Sequence, residues 1–270
     1  MFNILLTQPI TNVLVAIYQL LSFLYIPSAL GFSIIFLTVF IRFILYPFTV
    51  SQIKASSKMQ KLNPHLSRLK EQHKGDSKKL QEETMKLYKE HGVNPAAGCL
   101  PVLIQFPIIW GLYSVLGKIV SLKPELAVSE INKVLYLPSL HLTRPWDQHF
   151  FGIPLSLAPS HLFTTMPFIL LIPVLTALFQ FLQSKMMYPV VDPSQKKLIP
   201  KKDDGDFASA FQTQSMYIFP VMIGFFSYNL PVGLSLYWNT FTIFGILQQY
   251  RISGMGQLQE LIDRIQKNKK

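Results

Sequence analysis

Charge is scarce in this sequence. Only 14% of its 270 residues are charged and half are hydrophobic, where a soluble domain carries about a quarter charged residues. The apolar residues are gathered in long blocks, as crossing a hydrocarbon layer roughly 30 Å thick requires. That shortage excludes one soluble core and makes lipid the solvent of a helical bundle. Cysteine is nearly absent as well. Cys99 alone excludes an intramolecular disulfide and a cysteine-based metal cluster, and in its apolar segment it reads as a small packing residue. The histidines at 65, 73, 91, 141, 149 and 161 form no H-x-x-x-H or H-E-x-x-H pattern, so no metal centre is expected. There is no G-x-x-x-x-G-K-[ST] run to cradle a nucleotide phosphate. No catalytic residue, metal, cofactor or small-molecule substrate is expected, and the chain does not read as an enzyme.

What is present is apolar length. Five segments, 29–50, 97–120, 166–187, 214–230 and 232–250, are long and apolar enough to span a bilayer. Asn229, Pro231 and Gly233 interrupt the last two as a tight turn between antiparallel helices. Pro101, Pro107, Pro167, Pro173 and Pro220 sit inside or near span ends and predict kinks, which membrane bundles tolerate. Residues 1–28 lack the positive n-region of a secretory signal. There Ile10, Val13, Leu14, Ile17, Leu20, Leu21 and Leu24 recur at helical spacing opposite Thr11, Asn12, Gln19 and Ser22, which predicts an amphipathic helix lying in the membrane interface. An uncleaved sixth span is the alternative.

The net charge of +11 matters through its distribution. Residues 51–96 hold ten Lys or Arg, 185–213 hold five and 251–270 hold five, whereas 1–28 and the 229–233 turn hold none. Basic loops stay on the cytoplasmic side. The N-terminus is therefore expected outside and the C-terminus inside, with 121–165 an external loop, 188–213 a cytoplasmic loop and 251–270 a basic cytoplasmic tail. An odd number of spans demands the same outcome. Segment 51–96 is patterned as a cytoplasmic helical hairpin. Met59, Leu62, Leu66 and Leu69 form one stripe bent at Pro64; His73, Lys74 and Gly75 break it; Asp76 caps a second helix bearing Leu80, Met85, Leu87 and Tyr88, which Gly92 terminates.

Arg42 is the residue that does not belong in lipid. It lies roughly 20 Å down the first span at 1.5 Å per residue, and a central arginine costs about 2.5–3.5 kcal/mol on insertion scales. No Asp or Glu occurs in any of the five segments, so a carboxylate partner and an ion-coupling relay are both missing. The remaining compensation is water, in a polar cavity open to the cytoplasm. Thr38 lies one turn away on the same face. Gln105 and Gln183 in other spans, and Tyr237, Trp238 and Asn239 in the fifth, are further candidates for its lining. Such a half-membrane groove lets a short polar segment pass partway while the burial of an apolar helix in lipid supplies the free energy.

Several motifs resemble the YidC/Oxa/Albino insertases along nearly the whole chain. Ile41-Arg-Phe-Ile-Leu-Tyr-Pro47, Ser57-Lys-Met-Gln60 and Pro64 are similar to that family's first core span entering its hairpin. Tyr88-Lys89, Asn94-Pro95-Ala-Ala-Gly-Cys-Leu-Pro101 and Gln105-Phe-Pro107 resemble its second span entry. Phe151-Gly152-Ile153 with Leu155 resembles its external loop, and Pro231-Val-Gly-Leu-Ser-Leu-Tyr-Trp238 with Gln248-Gln249 its last span. The resemblance implies an all-α integral membrane protein whose five transmembrane helices enclose a hydrophilic groove open to cytoplasm and lipid. It places the groove arginine at Arg42, its threonine at Thr38, its aromatics at Tyr237 and Trp238, and a third-span glutamine at Gln183 or Gln180.

The same resemblance implies a bacterial plasma-membrane insertase and chaperone, acting on nascent membrane proteins alone or beside the Sec translocon. The ribosome and signal-recognition components are further partners to expect. The large external domain of Gram-negative members and the lipidated cysteine of many Gram-positive members are not seen in this sequence. Two other readings bear comparison: an assembly scaffold without translocation activity, for which Arg42 would not matter, and a small-solute transporter. The transporter predicts ionisable pairs and repeat-related halves, and the sequence shows neither.

Overall fold

A computed structural model describes residues 5, 7–73, 75–94, 100–121, 124–187, 207–259 and 262–263. Within these the chain is overwhelmingly helical. In chain order the helices are α1 Gln8–Phe23, α2 Ala29–Ile44, α3 Tyr46–Lys61, α4 Asn63–Gln72, α5 Ser77–Glu90, α6 Leu100–Ser121, α7 Pro124–Asn132, α8 Pro159–Leu162, α9 Leu171–Met187, α10 Phe207–Asn229 and α11 Val232–Ser253. One short antiparallel ladder, β1 His149–Phe150 with β2 Ile153–Pro154, joins α7 to α8. Cys99, Pro95, most of the loop 188–213 and the tail lysines Lys267, Lys269 and Lys270 lie outside the described residues.

The first expected span, 29–50, maps onto two helices. α2 ends at Ile44, Leu45 caps it through its N–H to the Ile41 carbonyl, and α3 begins at Tyr46. Pro47 accounts for the break, since it has no N–H to give and its ring would strike the carbonyl four residues back. Among the described residues one helix, Pro167–Met187 including its short 3-10 entry, is by length and hydropathy able to cross a membrane unaided; Ala29–Ile44 taken together with Tyr46–Leu66 would be a second. In α11 the polar Ser235, Asn239, Thr240, Thr242, Gln248 and Gln249 dilute the apolar run.

Two compact units divide the chain. The first comprises Met1–Leu45, Val102–Gln180 and Pro220–Phe244, and it holds the main core: Leu14, Leu30, Ile34, Leu37, Leu112, Ile131, Leu155, Ile169, Leu234 and Tyr237 are almost wholly buried. Here α1 departs from its expected facing. Thr11 and Asn12, assigned to the polar, outward face, are buried, while Leu20 and Leu24 are exposed. The reason is a set of tertiary hydrogen bonds. Asn12 Nδ2 donates to the Val134 carbonyl at 2.9 Å, Asn12 Oδ1 accepts from the Tyr136 N–H at 2.7 Å, and Gln19 Nε2 donates to the Leu140 carbonyl at 2.8 Å. The polar face of α1 is thus its docking face, holding the loop after α7.

That loop region continues into the β1–β2 ladder, whose turn residues Phe151 and Gly152 both have positive φ, 49° and 81°, as the favoured two-residue hairpin turn requires. Phe150 packs on α2 at Gly31, where an added Cβ would lie 2.0 Å from its ring; only glycine permits that approach. Further on, the carbonyls of Leu157 and Leu155 accept from the N–H groups of Val232 and Gly233 at 2.9 and 2.8 Å. They satisfy donors that the first turn of α11 leaves orphaned. Three helices are also stitched by hydroxyls: Thr176 Oγ1 to Ser227 Oγ at 3.1 Å, and Ser227 Oγ to Ser235 Oγ at 2.9 Å. Gly224 allows α10 and α9 to close, since a Cβ there would meet Ala177 Cβ at 2.9 Å.

The second unit comprises Tyr46–Pro101, Phe181–Phe219 and Gly245–Lys270. Its hairpin has well-formed ends. The Asp76 carboxylate accepts from the Lys79 N–H at 3.0 Å, capping α5. At the other end the Gly92 N–H reaches the Lys89 carbonyl and the Val93 N–H the Tyr88 carbonyl at 2.8 Å, the paired bonds of a Schellman stop. An open cleft of about 290 Å³ lies between α4 and α5, lined by Arg68, Gln72, Glu83, Lys86, Leu69 and Leu87 among others. Elsewhere in this unit Lys185 Nζ approaches Tyr217 Oη at 3.3 Å, and Gln249 Nε2 donates to the Met186 carbonyl at the end of α9.

Candidate functional site

The site is built on α2 and α11 of the first unit. α2 is apolar apart from Ser33, Thr38 and Arg42, all three of which are buried. The spacing puts Thr38 and Arg42 one turn apart on one face. Thr38 Oγ1 donates to its own helix at the Ile34 carbonyl, 2.6 Å away, which occupies its proton and leaves its lone pairs to accept. Arg42 is only 5% exposed, so protein rather than bulk solvent covers most of its guanidinium.

The cover comes from α11. Arg42 Nη2 donates to the Phe241 carbonyl at 2.6 Å, and the guanidinium carbon stands 3.4 Å from the centroid of the Phe241 ring. One residue thus provides both a charge-assisted hydrogen bond and a π face. The apolar segments hold no carboxylate, which by sequence leaves water as the compensation. A backbone carbonyl and a phenyl ring supply another. Both are invisible to a search for acids, because every residue has a carbonyl and phenylalanine is common in spans. The usable signal was Phe241 standing four residues after Tyr237.

Tyr237 is 1% exposed and its ring lies 5.9 Å from that of Phe241. The two aromatics and Arg42 therefore form one cluster, backed by Phe43 against Phe244 at 5.4 Å. Trp238 is half-buried on the same helix, and Asn239 Oδ1 is buried without a hydrogen-bond partner among the described residues. Gln180 Oε1 accepts weakly from Thr242 Oγ1 at 3.4 Å, joining α9 to α11 one residue beyond Phe241. Gln183 is half-buried and belongs to the second unit. Gln105 lies in α6, with its side chain outside the described ones. The structure thus gathers Arg42, Thr38, Tyr237 and the unforeseen Phe241. No group of three or more His, Cys, Asp or Glu able to hold a metal occurs among the described residues.

Chemically this is a cation held in apolar surroundings, fixed in place by its neighbours. It can attract a negative group, and it can tolerate a polar chain better than bare hydrocarbon would.

Comparison with known proteins gives this arrangement its context. Residues 14–260 match the family model described as 60Kd inner membrane protein. The Membrane protein insertase YidC of Fusobacterium nucleatum is 34% identical over 226 residues, 84% of this chain and 87% of that protein. The protein of the same name from Streptomyces avermitilis is 36% identical over 228 residues, covering 82% of this chain and 50% of its own length. Among solved structures, an active YidC insertase with its first transmembrane domain resolved aligns at a TM-score of 0.57 and 28% identity, over 90% of this chain and 46% of that one. The chain therefore spans most of the first relative, and about half of the second and of the solved chain.

Proposed function

The chain belongs to the 60Kd inner membrane protein family of YidC-type insertases, and from that premise we propose that it inserts membrane proteins through a groove built around Arg42. The family acts on nascent membrane proteins in the bilayer. Our reading adds five membrane-crossing segments, N-terminus outside and C-terminus in the cytoplasm, and a hydrophilic groove in the inner half of a bacterial plasma membrane. Thr38, Tyr237 and Trp238 line that groove with Arg42, and Gln105 and Gln183 are the polar residues that the second and third apolar segments offer it. Charge asymmetry supports the orientation.

The observation that carries the mechanism is the buried Arg42, engaged by the carbonyl and the ring of Phe241. A fixed positive charge lowers the local energy of an acidic group entering from the cytoplasm. A short polar tail then meets Arg42 and hydroxyls instead of hydrocarbon over the inner part of its path. The substrate's apolar helix leaves sideways into lipid, and its burial drives the reaction at about 25 cal/mol per Å². No nucleotide or metal step is required. Sec translocon, ribosome and signal-recognition contacts are compatible with this scheme, the basic hairpin and tail being the surfaces for them.

The test is insertion into liposomes containing only this protein, with a single-span substrate bearing a short acidic tail. We expect Arg42→Ala to lower insertion and Arg42→Lys to retain most of it. Equal insertion by all three proteins would remove the charge from the mechanism. No insertion above empty liposomes would favour an assembly scaffold.

A further inference from the structure

We infer that Phe241 is a positioning residue for Arg42, and that it sets how strongly insertion favours acidic over neutral translocated tails. The inference rests on the Arg42 reading given above and assigns a role to a residue that none of the motifs singles out.

An arginine at this depth has a way out of the apolar layer. Its long side chain is free to reach toward the headgroups and leave the apolar layer, and an unrestrained guanidinium would do so. In the structure two contacts from Phe241 oppose that. The guanidinium carbon stands 3.4 Å from the centroid of the ring, and the main-chain carbonyl of the same residue takes one Nη2 proton at 2.6 Å. The carbonyl is part of α11, whose first turn is tied to the external loop through Leu155 and Leu157. The ring is packed beside Tyr237, which is almost fully buried. Both contacts thus belong to rigid structure.

The geometry also separates holding from binding. A guanidinium stacked on a ring uses its face, whereas its N–H donors point outward in its own plane. A carboxylate approaching in that plane does not compete with the phenyl ring. Phe241 therefore restrains the charge without neutralising it, as an acidic partner would. This also accounts for the absence of Asp and Glu from the five apolar segments: a resident carboxylate would hold Arg42 equally well but would quench its attraction for an acidic tail. An aromatic ring holds and leaves the charge standing.

The carbonyl contact survives any substitution at this position, so side-chain variants isolate the ring. The measurement is the ratio of insertion of two single-span substrates differing only in the tail, one carrying two aspartates and one two asparagines, in liposomes of neutral lipid. Phe241→Leu and Phe241→Met should each lower the acidic-to-neutral ratio by about thirty-fold, the factor that matches the ~2 kcal/mol of a desolvated cation–π contact. Phe241→Tyr keeps a ring face and should keep the ratio. The readout is the ratio and not the level of either insertion: a folded variant that lowers both tails equally has not changed the preference and overturns the role of Phe241. Thermal unfolding of each purified variant identifies any that fail to fold, and Leu and Met leave two independent chances.

The outcomes separate the two levels. If Arg42→Ala leaves the ratio unchanged, the Arg42 reading fails and this inference falls with it. If Arg42→Ala collapses the ratio but folded Phe241→Leu and Phe241→Met do not move it, the Arg42 reading stands and the role of Phe241 is overturned. If Phe241→Tyr loses the ratio as fully as leucine does, the ring face is not what holds the charge.

Discussion

Replacing Asn12 by leucine removes the link that turns the polar face of α1 inward. Asn12 is 6% exposed, and its amide donates to the Val134 carbonyl at 2.9 Å and accepts from the Tyr136 N–H at 2.7 Å. A leucine of similar size fills the space but leaves both main-chain groups without that partner. Each buried group so abandoned costs about 1–3 kcal/mol. The Tyr136 side is exposed, so water recovers part of its loss, and the net cost should fall near 2 kcal/mol, about a thirty-fold shift in local opening. The assay is amide hydrogen exchange in nanodiscs. Exchange at Val134, Leu135 and Leu142 should accelerate by about that factor, while amides in the middle of α10 keep their rates. Gln19→Leu, at a more exposed bond to the Leu140 carbonyl, should accelerate the loop much less. Unchanged protection at Val134 and Leu135 in Asn12→Leu would refute the claim that this side chain docks the loop on α1.

Gly224→Ala should destabilise the contact of α9 and α10 by about 1–3 kcal/mol, the usual cost of overpacking, because the new Cβ would stand 2.9 Å from Ala177 Cβ. Ala177→Gly in the same chain should restore only part of the loss of thermal stability, because the new Cβ still meets the Pro173 carbonyl at 3.2 Å and the added glycine weakens α9; a double variant no more stable than an additive sum of the two would place the strain elsewhere. In the hairpin, burial raises the Tyr88 phenol above its ordinary value near 10, so the folded state keeps this proton after the unfolded state has lost it. Stability from this group is complete below about pH 10 and falls as pH rises through the folded value. Difference absorbance of phenolate between wild type and Tyr88→Phe should show one tyrosine titrating late, and an ordinary titration would contradict the burial.

Much of the arrangement was legible in one dimension. The apolar blocks, the position of Arg42 within one of them and the lack of acids in all five follow from residue order alone, because the cost of polar groups in hydrocarbon depends on composition along about twenty residues. The ends of α5 were readable for a local reason too: Asp76 and Gly92 act on backbone groups within four residues of themselves. Pro47 lay in plain view inside the first expected span, yet its effect, the end of α2 at Ile44, was passed over in favour of apolar length.

Other features were settled only by residues distant in sequence. The facing of α1 depends on carbonyls more than a hundred positions away, and an asparagine is equally at home in water or against a buried loop until that loop is placed. Compensation of Arg42 depends on Phe241, 199 residues later, through a carbonyl and a ring that carry no mark in the sequence. Sequence alone determined that a charge sits inside an apolar segment without an acid, since composition along the chain is local. Tertiary structure decided what holds that charge, since a partner across helices is chosen by packing geometry.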